Sequence, residues 1–327
     1  MRKPSFWIGL ALSVLFLYLA FKDQQFSLIV EALSRVEPVW LLLSICGLLL
    51  SYLIRAWRWW QLIAADRIVP YRTALSLLMM GLAANNVLPL RGGELVRAIQ
   101  LGRLTGTPKS FGLGTIVVEK VFDMIVISLM LLAGLCALDL PDWVRDGQQA
   151  GAMAVGLAVV VIVVLAINKE RAAGLVSAIV GRTAGERWGE KASEVVLQFV
   201  VGLSIFRAPR RAVAALLLSL ASWTVLTLAT WSALIALGAD ISAIGALFVE
   251  GALQLAGMVP SSPGYVGIYE YISIQALAAL SVPAALALAF SLVFHLMWLG
   301  IEIVFGGVAF LRSEIDVRQL KDAAKTE

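Results

Sequence analysis

Residues 85–97 read Asn-Asn-Val-Leu-Pro-Leu-Arg-Gly-Gly-Glu-Leu-Val-Arg. The stretch breaks an apolar run with a proline (Pro89), a glycine pair (Gly92, Gly93) and three charges (Arg91, Glu94, Arg97). A second break, Met-Val-Pro-Ser-Ser-Pro-Gly-Tyr-Val-Gly-Ile-Tyr-Glu at 258–270, interrupts the other half in a similar way, with Pro260, Pro263, Gly264 and Gly267 as its breakers. Charges and helix breakers at membrane depth are costly, so they mark function more often than accident. How these two breaks sit relative to a membrane decides the fold.

That a membrane is involved follows from composition. Of 327 residues, 60% are hydrophobic and 15% charged, against about a quarter charged in soluble domains. The mean hydropathy is +0.89, and the excess sits in long blocks, as in a polytopic membrane protein. A net charge of +4 suits a basic membrane-facing rim, and no basic stripe suggests nucleic acid as a partner. Cys46 and Cys136 lie in apolar blocks and read as packing residues rather than a disulfide. With one histidine, no CxxC and no HExxH, neither a metal nor another cofactor is expected.

Taken in order, Ser5–Phe21 follows a basic start and reads as an uncleaved first helix, since many spans follow it and no small-residue cleavage site is evident. A span from Val39 ends in Arg55-Ala-Trp-Arg-Trp-Trp60, arginines among tryptophans at headgroup level. Residues 73–88 are apolar but short. Gly112–Leu138 is long enough to cross yet holds Glu119, Lys120 and Asp123. Ala150–Ile167 is a clean span. The basic loop 168–211 contains a helix-spaced apolar set (Val196, Phe199, Val200, Leu203, Phe206) expected to lie on the membrane surface. Ala212–Leu237 spans; Ala243–Met258 and Tyr265–Leu280 are short pieces flanking the second break, and Pro283–Leu311 closes the membrane part.

Cytoplasmic loops are enriched in Lys and Arg. With the N-terminus inside and both breaks as hairpins, the basic stretches 55–72, 91–109, 169–211 and the tail all fall in the cytoplasm. The acidic loops near 23–37, 139–146 and 240 fall outside. Full crossing of 73–88 would invert this and place 169–211 outside. The expected fold is therefore an all-α integral membrane protein of the cell inner membrane with cytoplasmic termini. It has about six full transmembrane helices and two oppositely oriented re-entrant hairpins. Residues 1–315 form one membrane domain, its inverted-repeat halves at about 39–138 and 212–311, and 316–327 are a charged cytoplasmic tail. The breaks share the pattern P-x-x-[GP]-G, Pro89–Gly93 and Pro260–Gly264.

The polar groups offer candidate sites. Gly92 and Gly93 let backbone approach a ligand, and the following helix start favours an anion. Arg91 and Arg97 can grip phosphate in two-point fashion, with Asn86 beside them. Against this, Glu94 and Arg97 stand three apart and can form an internal ion pair; both readings stand. Ser262 before Pro263 has the order of a helix start, and Gly264 and Gly267 leave a narrow face for a lipid or for close packing. Glu270 needs a partner at membrane depth. Glu119 and Asp123, four apart, need either a proton or an arginine between them, with Arg55, Arg58, Arg91 and Arg97 as the candidates. His295 and Glu302 share a helix face, and a lone intramembrane histidine reads first as a packing hydrogen bonder.

Four motifs occur in order: Arg55-Ala-Trp-Arg-Trp, Asn86 to Arg97, Glu119-Lys-Val-Phe-Asp123, and Pro260 to Glu270. Together they resemble the lysylphosphatidylglycerol synthase transmembrane region family, the flippase-like domain also called UPF0104, over nearly the whole chain. The resemblance implies movement of a lipid between leaflets. The family's best-known members append a soluble aminoacyl-transferase domain. Only a short tail follows Leu311 here, so lipid aminoacylation is not carried over and no enzyme activity is expected. Lys120 stands where the family often has arginine.

The expected function is translocation of a phospholipid or polyprenyl-phosphate-type lipid. Arg91, Arg97, Asn86, Gly93, Ser262 and Gly264 would meet the head group. Arg55, Arg58, Glu94, Glu119, Asp123, Glu270, His295 and Glu302 would form an intramembrane network. The alternatives are a non-transporting scaffold for a separate lipid-modifying enzyme, or a lipid phosphatase using Ser261 or Ser262 with His295.

Overall fold

The computed structural model describes residues 14–22, 26–64, 69–88, 92–142, 144–147, 209–256 and 263–313, with isolated positions between 151 and 178. Among these residues there are helices and no strands. Residues 14–21 are helical, followed by α1 (Phe26–Ser34), α2 (Pro38–Ala64), α3 (Tyr71–Val87), α4 (Gly93–Thr105) and α5 (Lys109–Ala137). After the middle of the chain come α6 (Pro209–Ala236), α7 (Ala243–Ala256), a 3₁₀ turn (Pro263–Tyr265), α8 (Ile268–Ala278) and α9 (Ala284–Arg312).

Local chemistry sets the ends. Pro38 opens α2 in the first helical position, where its missing N–H costs nothing. α4 ends at Gly106, whose φ of +69° is the left-handed cap that glycine adopts without a Cβ penalty. Pro70, Pro108 and Pro283 stand just before α3, α5 and α9.

Helices α2–α5 have 27, 17, 13 and 29 residues, and α6–α9 have 28, 14, 11 and 29. The neighbours correspond as well. α3 packs on α4 and α9, and its counterpart α7 packs on α8 and α5; α2 and α6 pack mainly on each other. The pairs Gly47 with Ala229, Arg55 with Trp223 and Arg58 with Ser219 run up one helix and down the other, so α2 and α6 are antiparallel.

Close contacts are made by small residues, as expected where packing rather than water drives association. A Cβ on Gly93 would stand 1.9 Å from the Gly81 carbonyl oxygen, one on Gly112 2.9 Å from the Ala98 Cα, and one on Gly306 2.4 Å from the Met79 carbonyl oxygen. Pairing of 81 with 97 and of 85 with 93 makes α3 and α4 an antiparallel hairpin.

Large apolar side chains also cover the outside: Leu42, Leu43, Leu53, Leu132, Leu217, Leu296, Val304 and Leu311 are all exposed. The helices α2, α6 and α9 are long and apolar enough to cross a membrane. α5 is as long as α9 but carries the charges Lys109, Glu119, Lys120 and Asp123. Of the expected span 150–167 only isolated positions are described, and the expected surface helix around 196–206 and the tail 316–327 lie outside the described residues. The two cysteines, expected inside the packing, are free and on the exposed surface, because Cys46 and Cys136 fall on outward helix faces.

Candidate functional site

The buried charges fall into separate groups. One is a chain of alternating sign. The guanidinium of Arg97 (α4) donates to Glu119 (α5) at 2.9 and 3.3 Å and lies 4.0 Å from the centre of the Trp59 ring. Glu119 is 3.5 Å from Arg58 (α2), and Arg58 forks onto Asp123, with a 3.0 Å bond to Oδ2. Arg58 also donates to Ser219 at 2.5 Å, and the Trp223 indole donates to Asp123 at 2.8 Å. All four charged side chains are buried. The carboxylates four apart are thus separated by Arg58, the arginine alternative of the two that spacing left open.

The Glu94–Arg97 pair does not form. Arg97 turns inward onto Glu119, and Glu94 is 3.3 Å from Lys120 in a partly exposed pair. Arg97, expected at a head group, has its guanidinium committed to the wall. Gly93 lies tight against Gly81 with its N–H on Asn85 at 2.8 Å, so its close backbone approach is to its own hairpin partner.

The second group ties the second break. His295 (α9) contacts Glu270 Oε1 (α8) at 2.6 Å through Nδ1 and donates from Nε2 to the Gly264 carbonyl at 2.7 Å. Glu270 Oε2 accepts the Gly267 N–H at 2.6 Å. Gly264 and Gly267 have φ of +74° and +93°, which their lack of a Cβ permits. Both ring nitrogens of His295 are therefore engaged. Arg97–Glu119 joins α4 to α5, and Glu270–His295 joins their counterparts α8 and α9 with the carboxylate on the shorter helix.

Between the two series of four helices lies a cavity of about 290 Å³ to which each of them contributes. α2 supplies Tyr52 and Arg55, α3 Asn85 and Asn86, α4 Glu94, and α5 Lys120 and Asp123. α6 supplies Trp223, α7 Glu250 and Gln254, α8 Tyr269, and α9 Trp298 and Glu302. Glu302 accepts from Tyr52 at 2.8 Å and from Asn86 at 2.7 Å. Glu250 accepts from Thr230 and Gln254, both at 2.6 Å.

Arg55 differs from the other arginines of the core. It is half-buried, lines the cavity, lies 5.8 Å from the centre of the Trp223 ring, and forms no ion pair or hydrogen bond among the described residues. Arg55 and Arg58 are three apart on one helix, but a small angular offset sends one into the wall and the other into the cavity. Sequence reasoning passed over Tyr52, Gln254 and Glu250. A lone carboxylate in the apolar run Ala-Ile-Gly-Ala-Leu-Phe-Val-Glu (243–250) was the available signal for the last. Pro89, Arg91, Pro260, Ser261 and Ser262 lie outside the described residues.

A helical assembly with an apolar exterior and a charged central cavity is an integral membrane protein. The chain belongs to the family described as Lysylphosphatidylglycerol synthase TM region, which it matches over residues 6–306. It is 29% identical to the glycosyltransferase AglD of Haloferax volcanii over 95% of this chain, and it spans only 55% of that relative's length. It is 24% identical to a UPF0104 membrane protein of Methanocaldococcus jannaschii over 90% of this chain and 91% of the relative. A UPF0104 membrane protein of Methanothermobacter thermautotrophicus is 23% identical over 75% of this chain and 76% of the relative.

Proposed function

We propose that this chain is a lipid translocase, moving a phosphate-bearing lipid between the leaflets of the cell inner membrane. The observation that carries the reading is the Arg55 guanidinium, without an ion pair or hydrogen bond among the described residues, in a cavity between two matched helix series. A half-buried cation with no counter-charge bonded to it is expensive in a membrane protein and is retained where a ligand completes it. We read α2–α5 and α6–α9 as inverted units, with α3–α4 and α7–α8 as hairpins entering from opposite faces. Similar lengths, exchanged neighbours and the antiparallel α2–α6 pair support this. Transporters place the substrate between such halves. Arg55 then takes the head group, with Asn86 beside it and Arg91 and Ser262 at the breaks. Arg58, Arg97, Glu119 and Asp123 keep the wall rigid.

The match to part of a glycosyltransferase supports a second reading, a membrane module serving a separate lipid-glycosylating enzyme. Phosphatase chemistry draws little support, because His295 has both nitrogens engaged and none free to serve a serine as base.

The test is reconstitution of the purified chain in liposomes holding trace head-group-labelled lipids of several classes. A membrane-impermeant quencher should remove well over half the label only when protein is present. A charge-assisted two-point contact contributes about 1.5–3 kcal/mol, so Arg55→Gln should slow translocation by about tenfold or more without loss of folded protein. Vesicles with protein that behave like empty ones, for every lipid tried, would overturn the reading.

A further inference from the structure

The lining of the cavity goes beyond what a phosphate needs. We infer that the head group it accepts is a sugar ring joined to phosphate. The inference rests on the translocase reading for the purpose of binding, and on the cavity chemistry for what binds.

Three buried polar atoms of the lining have no partner among the described residues: Asn86 Oδ1, an acceptor, Arg55 Nε, a donor, and the Tyr269 hydroxyl, which can do either. Asn86 is only 5% exposed and its amide nitrogen is already spent on Glu302, so its oxygen is the atom left for a ligand. Glu302 and Glu250 each hold two neutral donors, and a carboxylate offers about four acceptor sites. Beside these acceptors stands an aromatic wall. Trp298 lies 5.6 Å from Tyr269 and 6.1 Å from Tyr265, centre to centre, and one helical turn along α9 from Glu302.

Only some head groups satisfy this set. Phosphate accepts hydrogen bonds and does not donate, so alone it would leave Asn86 Oδ1 open and meet the carboxylates Glu250 and Glu302. An ammonium donates and does not accept, so it would leave Arg55 Nε open and bring a like charge beside Arg55. Sugar hydroxyls donate and accept at once, and the C–H face of a pyranose packs on aromatic rings. Phosphate at Arg55 with the ring against Trp298, Asn86 and Glu302 satisfies Arg55 Nε and Asn86 Oδ1, and a sugar hydroxyl is a partner for the Tyr269 hydroxyl. The 290 Å³ volume is at the small end of ligand sites; it takes a compact head group and leaves the lipid chains outside.

The test is quenching of tryptophan fluorescence in nanodiscs holding the full chain, titrated with four lipids: a prenyl-phosphate hexose, the same prenyl phosphate without sugar, a hexosyl diacylglycerol without phosphate, and phosphatidylethanolamine. The prenyl-phosphate hexose should bind at least about tenfold tighter than each of the others. Asn86→Ala should shrink its advantage over bare prenyl phosphate to near unity, whereas Arg55→Gln should weaken both phosphate lipids alike. The wild-type comparison carries the test if a variant folds poorly. Equal binding of the two prenyl phosphates, preference for the ethanolamine lipid, or no binding at all would overturn the inference. Preference for the phosphate-free glycolipid would overturn the phosphate half of it. Translocation of lipids with no sugar preference would sink this inference and leave the translocase reading standing. Sugar-selective binding with no translocation would do the reverse.

Discussion

Arg58 has no exposed surface and carries a charge in a protein whose exterior is hydrocarbon-like. It is tolerable there because Asp123, Glu119 and Ser219 engage its two terminal nitrogens and Arg97 closes the other side of Glu119. Removing one member of such a chain strands its neighbours, at about 3–5 kcal/mol. Arg58→Leu should therefore lower the thermal stability of the purified protein sharply. Arg58→Leu combined with Asp123→Leu should cost less than the two single changes summed. An additive double mutant would mean that the two side chains do not act as a pair. At this scale the sequence was half legible. Glu119 and Asp123 on one face called for either a proton or an arginine, but helical spacing gives direction only along one helix. Choosing Arg58 over Arg55, Arg91 or Arg97 required the distance across α2 and α5.

At the scale of elements, glycine decides how close two helices come. Gly306 and Gly307 are adjacent in α9, yet a Cβ on Gly306 meets the Met79 carbonyl and Ala83 at 2.4 Å, and one on Gly307 meets nothing within 4 Å. Gly306→Ala should push α9 from α3 at a cost of about 1–3 kcal/mol, the usual range for overpacking. Gly307→Ala should be neutral or slightly stabilising, since alanine favours a helix interior. Melting curves of the two variants in the same detergent check this, and equal melting points would refute the contact. The hairpin α3–α4 was legible from Pro89, Gly92 and Gly93. That Glu94 reaches Lys120 and Arg97 reaches Glu119 was not, because the neighbouring α5 decides which way each side chain is drawn.

For the whole molecule, the proposed orientation makes a labelling prediction. After Cys46→Ala and Cys136→Ala, which remove the exposed native thiols, single cysteines at Arg103 and Asp240 probe opposite ends of the assembly. In intact cells an impermeant maleimide should label Asp240→Cys and spare Arg103→Cys, with labelling of both only after the membrane is opened. Labelling of Arg103→Cys in intact cells would overturn the re-entrant reading of α3–α4, since full crossing of residues 73–88 moves that loop outside.

Composition and the placement of charge along the chain were enough to indicate a helical membrane protein and its two breaks, and four motifs in order carried the resemblance to its family. Those signals come from the solvent: a hydrocarbon exterior demands apolar runs, and each exception stands out along the chain. The cavity was not legible. It is assembled from side chains as far apart in sequence as Tyr52, Asn86, Glu250 and Glu302, and partners across helices are set by packing. Packing also decided which arginine is spent in the wall and which, Arg55, is left facing the space between the two helix series.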